Sequence, residues 1–390
     1  MKLSYLALAL GTFGLGMTEY GMMGILPDLA QDIKVPIPVA GHFISYYAIG
    51  VCVGAPLMVI VARKLSLKNI LLLLMAVFII GNLAFSLSHS YASMSVWRFI
   101  AGFPHGAYFG VGSIVASQLA GKGKEGSAVA AMISGMTVAN LVGVPLGTFL
   151  GSHFTWRVVY YIVAAWGLLT MMALFRWIPN IRPLPDNGFR GQFRFLKNWA
   201  PWILVLAITF GNGGIFSWYS YVSKAMTEVS GFQESSMGII MVLGGLGMVI
   251  GNFISGKLTD MYSPVKVAMV TQGLVILIMV MIFFWSHFAI AGLLLLFMST
   301  ACLFALSAPQ QILVLKNSEG GEMLGGSLAQ IGFNLGNAIG AYVGGIPVTM
   351  GYSYEFTAVP GVFLAIFGFM LLFTYSMNGK NFRKHHINIL

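Results

Sequence analysis

The sequence predicts an all-α integral membrane protein with twelve transmembrane helices in two six-helix bundles. Hydrophobic residues make up 58% of its 390 residues and charged residues only 8%, whereas a soluble globular domain carries about a quarter charged residues. The apolar residues lie in runs of about 20, which is the length of a helix that crosses the hydrocarbon core of a bilayer. The second half of the chain also repeats motifs of the first.

Each apolar run is assigned to one helix, because a helix satisfies its own backbone hydrogen bonds in lipid. The first run contains Glu19 and is too long for the apolar part of a cleaved signal peptide, so it is predicted to be a span. The predicted spans are 3–27, 40–62, 69–88, 93–118, 128–150, 156–178, 199–223, 236–257, 266–286, 288–315, 323–348 and 354–378.

The basic residues of the loops predict the orientation of these helices. Loops on one side hold most of the lysines and arginines, whereas the opposite loops hold only Lys34, Arg157 and Lys224. This bias places both termini in the cytoplasm and predicts a multi-pass protein of the inner membrane. It also accounts for the formal net charge of +10 without a nucleic-acid partner. Cys52 and Cys302 lie in apolar runs, where buried thiols are expected and neither a disulfide nor a metal site is.

One offset of 197 residues aligns motifs in three pairs of predicted spans. The matched positions are Thr12–Gly16 with Thr209–Gly213, Gly50 and Gly54 with Gly247 and Gly251, and Gly135, Asn140, Gly143 and Gly147 with Gly332, Asn337, Gly340 and Gly344. Such a repeat predicts two bundles of parallel topology, related by an axis along the membrane normal. We predict bundles at 1–178 and 199–390, joined by a cytoplasmic linker at 179–198 that contains a short interfacial helix.

Four segments of the first half carry recognisable motifs. They are TEYGMMGILPDLA at 18–30, GAPL at 54–57, RFIAGFPHGAYFGVG at 98–112 and ANLVGVPLGTFLG at 139–151. Together they resemble the twelve-span drug:proton antiporters of the major facilitator superfamily, and among them the arabinose-efflux and chloramphenicol-resistance permeases. The resemblance covers nearly the whole chain. It implies a monomeric transporter that works by alternating access on a small-molecule substrate and protons, with no cofactor.

The loop motif that follows the second span departs from the superfamily pattern, which has an aspartate where this chain has Arg63. The copy in the second half keeps the acid as Asp260, at the same 197-residue offset. We expect these two positions to help latch one conformational state through charge contacts or helix-end dipoles. Simple capping of helices at the membrane interface explains them equally well.

Glu19 and Arg98 are the two charged residues that lie clearly inside predicted spans. A charge in the bilayer interior costs about 2.5–3.5 kcal/mol on insertion scales, so each is a functional candidate. Glu19 lies about 12 Å from the outer end of its span at 1.5 Å per residue, and Arg98 enters from the same side. We therefore expect Glu19 to carry the proton and Arg98 to compete with it. Snorkelling of Arg98 to the outer interface is the alternative.

His105 and Phe109 follow Arg98 on one helix face, seven and eleven residues on. A packing histidine is the alternative to a proton or substrate contact. Aromatic residues near the depth of Glu19 suggest a mostly apolar substrate pocket with few polar groups, although packing also explains each one. The predicted substrate-binding residues are Tyr20, Met23, Tyr46, His105, Phe109, Asn212, Trp218, Tyr219 and Asn334. Tyr47 and Gln330 are further candidates, and interhelical hydrogen bonds explain the amides equally well.

Glycine at every fourth residue leaves a smooth strip on which another helix can pack closely. In the fifth span Gly143 and Gly147 flank Pro145, which lacks a backbone donor and bends the helix. We predict gating roles for these three residues, with static close packing as the alternative. The sequence contains no P-loop and no catalytic constellation, so an ATP-driven pump or a membrane enzyme is not expected. A proton-independent facilitator or importer of a sugar-like solute remains the second transport hypothesis.

Overall fold

Twelve long helices form most of the protein in a computed structural model, which describes residues 2–62, 64–181 and 188–387. Helices α1 to α6 are Lys2–Asp32, His42–Ala62, Leu67–Leu87, Tyr91–Leu119, Glu125–Val138 with its continuations Ala139–Gly143 and Val144–His153, and Trp156–Trp177. Helices α7 to α12 are Trp199–Tyr219, Met237–Met261, Pro264–Trp285, Ala289–Ala305 with its continuation Ser307–Lys316, Glu322–Thr349 and Ala358–Ile387. The described ranges contain no β-strand.

Every predicted span coincides with one of these helices. Nine helices in the described ranges are long and apolar enough to cross a membrane, and α1, α2 and α11 occupy the other three predicted spans. The prediction of an all-α membrane protein with twelve spans is therefore confirmed. The orientation of the termini stays a prediction.

The chain divides into two compact units. The first consists of Met1–Phe195 and Ser318–Ile331, and the second of Leu196–Asn317 and Gly332–Leu390. The start of α11 thus groups with the first six helices. The predicted boundaries of the two bundles stay predictions, and residues 182–187 of the predicted linker lie outside the described residues. Its described part contains a helix at Gly188–Gln192 and a 3-10 turn at Arg194–Lys197.

Helix ends repeat between the units in the same register as the motifs. Ser66 precedes α3 and accepts a hydrogen bond of 3.3 Å from the backbone N–H of Asn69. Ser263, which occupies the equivalent position before α9, accepts one of 3.4 Å from the N–H of Lys266. A serine at this position satisfies one of the donors that the first turn of a helix leaves unpaired.

Close packing of helices repeats in the same register. A Cβ atom on Gly50 of α2 would lie 2.1 Å from the carbonyl oxygen of Phe99 on α4. A Cβ atom on Gly247 of α8 would lie 2.6 Å from the carbonyl oxygen of Phe297 on α10. Only glycine permits approaches this close, so the offset of 197 residues marks the equivalent contacts α2–α4 and α8–α10 within the two units.

Helix α5 changes its hydrogen-bond register in the middle of its span. The turn Ala139–Gly143 is π-helical, and Pro145 is the second residue after it. Proline cannot donate to the carbonyl four residues earlier, and a π-helical turn is one way for a helix to absorb that loss. The proline that the sequence singles out therefore coincides with an irregularity of the backbone.

Arg157 joins the ends of three helices in the first unit. Its guanidinium donates to the carboxylate of Asp32 at the end of α1 and, at 3.0 Å, to the carbonyl oxygen of Ser88 after α3. The indole N–H of Trp156 also donates to Asp32, at 3.0 Å. The hydrogen bond from Arg157 holds the pKa of the Asp32 carboxyl below its usual range. One of the three basic residues of the predicted outer side is thus part of a contact between α1, α3 and α6.

Two glycines of α8 test whether close packing stabilises the second unit. We expect Gly247→Ala to destabilise the protein by about 1–3 kcal/mol, because the new methyl group meets backbone atoms that cannot yield. Gly244, one turn earlier on the same helix, has only ordinary contacts of 3.6 Å around a Cβ atom. Gly244→Ala should therefore be neutral or stabilising by about 0.5–1 kcal/mol. Thermal unfolding of both purified variants checks this, and equal melting temperatures would contradict it.

Candidate functional site

A glutamate on α1 and an arginine and a histidine on α4 lie inside the first unit. Arg98 and His105 on α4 are both fully buried. Glu19 on α1 keeps only 12% of its side chain exposed. Glu19, Arg98 and His105 therefore share the interior of one unit, where unpaired charge is costly.

Arg98 is held by α1 through the residue that precedes Glu19. Its guanidinium donates to the side-chain oxygen of Thr18 at 3.0 Å and to the backbone carbonyl of Thr18 at 2.7 Å. The hydroxyl of Thr18 in turn donates to the side-chain oxygen of Asn82 on α3. The complete burial of Arg98 excludes the alternative in which its side chain snorkels to the interface.

Three aromatic rings surround the guanidinium carbon of Arg98. The centre of the Tyr47 ring lies 4.4 Å away, and those of Tyr160 and Phe85 lie 5.6 and 5.7 Å away. At such distances the negative face of an aromatic ring attracts a cation. Neutral oxygens and rings thus form the immediate surroundings of a positive charge.

The carboxylate of Glu19 faces His105 instead of Arg98. Oε2 of Glu19 lies 3.8 Å from Nε2 of His105, and both atoms are buried without a hydrogen-bond partner in the described part of the chain. Arg98 is still close enough for electrostatic interaction with Glu19. Glu19 and Arg98 thus make two separate contacts between α1 and α4, one with His105 and one with Thr18.

Tyr47 of α2 connects the two contacts. Its hydroxyl lies 2.9 Å from Nδ1 of His105, while its ring faces Arg98. A neutral imidazole carries one proton, so a histidine that accepts from Tyr47 at Nδ1 presents an N–H at Nε2 toward Glu19. The arrangement forms a continuous chain of Arg98, Tyr47, His105 and Glu19.

The start of α11 completes the surroundings of His105. The side chain of Gln330 is a hydrogen-bonding neighbour of the imidazole, and Phe109 stacks on the imidazole with ring centres 5.2 Å apart. Further along, a Cβ atom on Gly110 of α4 would lie 2.7 Å from Oγ of Ser327. His105 therefore has packing contacts as well as a polar face, and the packing alternative accounts for only part of its environment.

The other predicted residues of the first unit lie in different places. Tyr20 is half-buried on α1. The hydroxyl of Tyr46 lies 3.5 Å from that of Tyr91, whereas the neighbouring Tyr47 contacts Arg98 and His105. Met23 lies on α1, but its side chain is outside the described part of the structure.

The predicted substrate residues of the second unit fall into two groups. Asn212 donates to the carbonyl oxygen of Phe333, at 3.1 Å, and to the side chain of Asn337, which makes it a link between α7 and α11. Trp218 is fully buried, and its indole N–H has no hydrogen-bond partner among the described residues. Tyr219 and Asn334 are half-buried on α7 and α11.

The predicted gating residues are only partly described. Arg63 lies outside the described residues. Asp260 is half-buried in the last turn of α8 and not in a loop, because α8 extends past the predicted end of its span. Gly143 and Gly147 face α1, where a Cβ atom would meet the side chain of Met17, and Pro145 is exposed.

Two residues of the site were not predicted from the sequence. Thr18 and Asn82 are common in membrane helices, and nothing in their spacing distinguishes them from ordinary packing residues. The adjacency of Thr18 to Glu19 was the one available signal. Whether Tyr46 or Tyr47 faces the site depends on how α2 is rotated about its axis. The sequence does not show this rotation, because both neighbouring residues are tyrosines.

The comparison with known families decides the identity of the fold. The family model of the Major Facilitator Superfamily matches residues 8–325. The chain belongs to the major facilitator superfamily. The resemblance inferred from its motifs is thereby confirmed, and this protein is a multi-pass membrane transporter and not an enzyme.

Individual members of the superfamily agree with this assignment. AraJ of Escherichia coli (strain K12), which is named as a candidate transporter, is 48% identical over 375 residues, covering 96% of this chain and 95% of AraJ. A chloramphenicol resistance protein of Streptomyces lividans is 27% identical over 347 residues and 88% of each chain. The crystal structure of the E. coli fucose:proton symporter FucP superposes with a TM-score of 0.78 at 15% identity, covering 95% of this chain and 98% of that chain. This last likeness shows the fold alone.

Adjacent tyrosines on α2 test the connecting role of Tyr47. We expect Tyr47→Phe to leave Nδ1 of the buried His105 without its partner and to cost about 1–3 kcal/mol of stability. Tyr46→Phe removes only a weak, partly exposed contact and should be close to neutral. Thermal unfolding of both variants in detergent measures the difference. A Tyr47→Phe variant as stable as Tyr46→Phe would show that the hydroxyl does not stabilise the site.

Proposed function

We propose that this protein is a secondary active transporter that exports a small organic molecule in exchange for protons by alternating access. It would act as a monomer in the inner membrane. In this proposal Glu19 and His105 form the proton site, and Arg98 and Tyr47 link its occupancy to the positions of α1 and α4.

The observation that carries the proposal is the facing pair of unsatisfied atoms. Oε2 of Glu19 and Nε2 of His105 are 3.8 Å apart, buried, and without hydrogen-bond partners among the described residues. The separation is longer than a hydrogen bond, which spans about 2.7–3.2 Å. A shift of about 1 Å would let one proton join the two atoms. Buried polar atoms that lack partners are costly and are expected where a mobile ligand completes them.

Contacts between α1 and α4 would couple this proton site to conformation. Arg98 binds Thr18, and His105 faces Glu19, so both contacts join the same two helices at adjacent residues of α1. Any displacement of α4 along α1 would change the two contacts together. A ligand shifts a conformational equilibrium only when it binds the two states differently. Proton binding at Glu19 meets this condition if the Glu19–His105 contact differs between the states.

Aromatic rings with few polar groups support a small organic molecule as the substrate. In the first unit Tyr47 and Phe109 line the buried charges with aromatic rings. Within the second unit, Trp218 is a buried ring whose indole N–H has no hydrogen-bond partner among the described residues. Mostly aromatic surfaces with a few polar groups suit a small organic molecule. The name of the Streptomyces lividans relative also supports a drug-like cargo.

A proton-independent facilitator is the competing proposal. In that case Glu19 would bind substrate directly, and a pH gradient across the membrane would have no effect on uptake. The contact of Glu19 with a second titratable group favours proton coupling, because a substrate-binding carboxylate does not need a histidine partner. FucP is named as a symporter. The transport experiment below therefore also has to measure whether substrate and protons move in the same direction or in opposite directions.

Glu19→Gln separates proton coupling from substrate binding. The amide cannot ionise but keeps the size of the side chain, so we expect the variant to retain substrate exchange between equal pools. Accumulation driven by a pH gradient should fall to the level of protein-free liposomes. Both activities are measured in proteoliposomes with a substrate chosen from a panel on the wild-type protein.

Asp28→Asn is the matched control, since Asp28 is an acid on the same helix outside the proposed site. It should accumulate substrate like the wild type. Uphill transport by Glu19→Gln at the wild-type rate would refute the assignment of Glu19. A wild-type protein that ignores the pH gradient would refute proton coupling altogether.

A further inference from the structure

A long apolar groove opens on one side of the second unit. None of its lining residues belongs to the proposed transport site. The groove has a volume of about 590 Å³ and lies between α8, α9 and α10. This volume falls within the range of about 300–1,000 Å³ that ligand sites occupy. All of its lining residues belong to the second unit.

The rims of the groove face outward and its floor is buried. Ile254 of α8 and Val270 of α9 form opposite rims and are 55% and 67% exposed. Cys302 of α10, on the floor, is buried. On a membrane-spanning unit, outward apolar rims contact lipid chains, so the groove is open to the bilayer.

The groove has a polar end and an apolar end. Lys266 and Tyr262 lie at one end, and Leu274 lies at the other. Lys266 and Leu274 are eight residues apart on α9, which is about 12 Å along the helix axis. Half of the hydrocarbon core of a bilayer is about 15 Å. The groove therefore extends from headgroup level to near the bilayer centre, which is the depth of one leaflet.

The charge at the polar end is positive. Lys266 is exposed, and no ion pair of its ammonium group is found among the described residues. Lys257 is exposed one residue before the lining residue Leu258. One acid, Asp260, lies nearby and is half-buried, and the two exposed lysines outnumber it. Basic residues at the mouth of a pocket between membrane helices favour anionic headgroups.

We infer that this groove binds an anionic phospholipid, with an acyl chain between α8 and α9 and the phosphate at Lys266. Tyr262 stands beside the lysine at the level where aromatic side chains border the headgroups. By the charge bias of the loops, this is the cytoplasmic leaflet. The inference is independent of the proposed proton site.

Native mass spectrometry of the purified full-length protein tests the lipid site, with equal amounts of phosphatidylglycerol and phosphatidylcholine added. The wild type should retain phosphatidylglycerol preferentially. Lys266→Gln should weaken its binding about fivefold, the effect of one basic residue next to an anionic lipid surface. Ile254→Trp fills the exposed rim without touching the floor and should reduce binding of both lipids.

Lys68→Gln is the matched control, because Lys68 occupies the start of α3 in the first half and lies over the Phe175 ring at 4.9 Å. It should bind phosphatidylglycerol like the wild type, as should Glu19→Gln, which alters only the proposed proton site. Unchanged phosphatidylglycerol binding in both Lys266→Gln and Ile254→Trp would overturn the inference. Equal retention of the two lipids by the wild type would overturn the assignment of an anionic headgroup.

Discussion

Arg98 places a positive charge in the interior of the first unit, where solvent does not reach it. Such a charge must be met by protein groups, because neither lipid nor water compensates it there. Thr18 supplies two oxygens, and Tyr47 supplies a ring face. These partners fix the register of α4 against α1 and α2. That register brings His105, two helical turns further on, to the carboxylate of Glu19. The position of the proposed proton site thus depends on how one buried arginine is satisfied.

The internal repeat shows which features of the two units are shared. Gly50 and Gly247 permit the same close helix contact, and Ser66 and Ser263 cap equivalent helices. The acid, the arginine and the histidine have no such counterparts, since Phe216, Leu295 and Cys302 occupy the positions equivalent to Glu19, Arg98 and His105. Packing is therefore common to both halves, whereas the intramembrane charge is confined to the first. Under the proposed proton coupling, the transporter needs one proton site but two units that pack alike, and this division fits that need.

Much of the fold could be predicted from the sequence because its determinants are local. The length of an apolar run defines a span, and the helices found differ from the predicted ones by up to nine residues at their ends. Asp260 shows the limit, since apolarity ends before the helix does and the residue belongs to the last turn of α8. The site was predictable only in part. Because burying a charge is costly in free energy, the sequence predicts that Glu19 and Arg98 need polar partners. It does not show which residues those partners are. Those follow from the rotation of each helix about its axis, which places Tyr47 inward and Tyr46 toward Tyr91.

The central claim is that Glu19 exchanges a proton in contact with His105. Infrared difference spectroscopy of the reconstituted protein measures this directly, because a protonated carboxyl group inside the membrane has its own carbonyl band. A band that titrates in the wild type should be absent from Glu19→Gln, and its midpoint should shift in His105→Asn, which keeps a polar side chain but cannot titrate. A titrating band that persists in Glu19→Gln, or a midpoint that is unchanged in His105→Asn, would contradict the account.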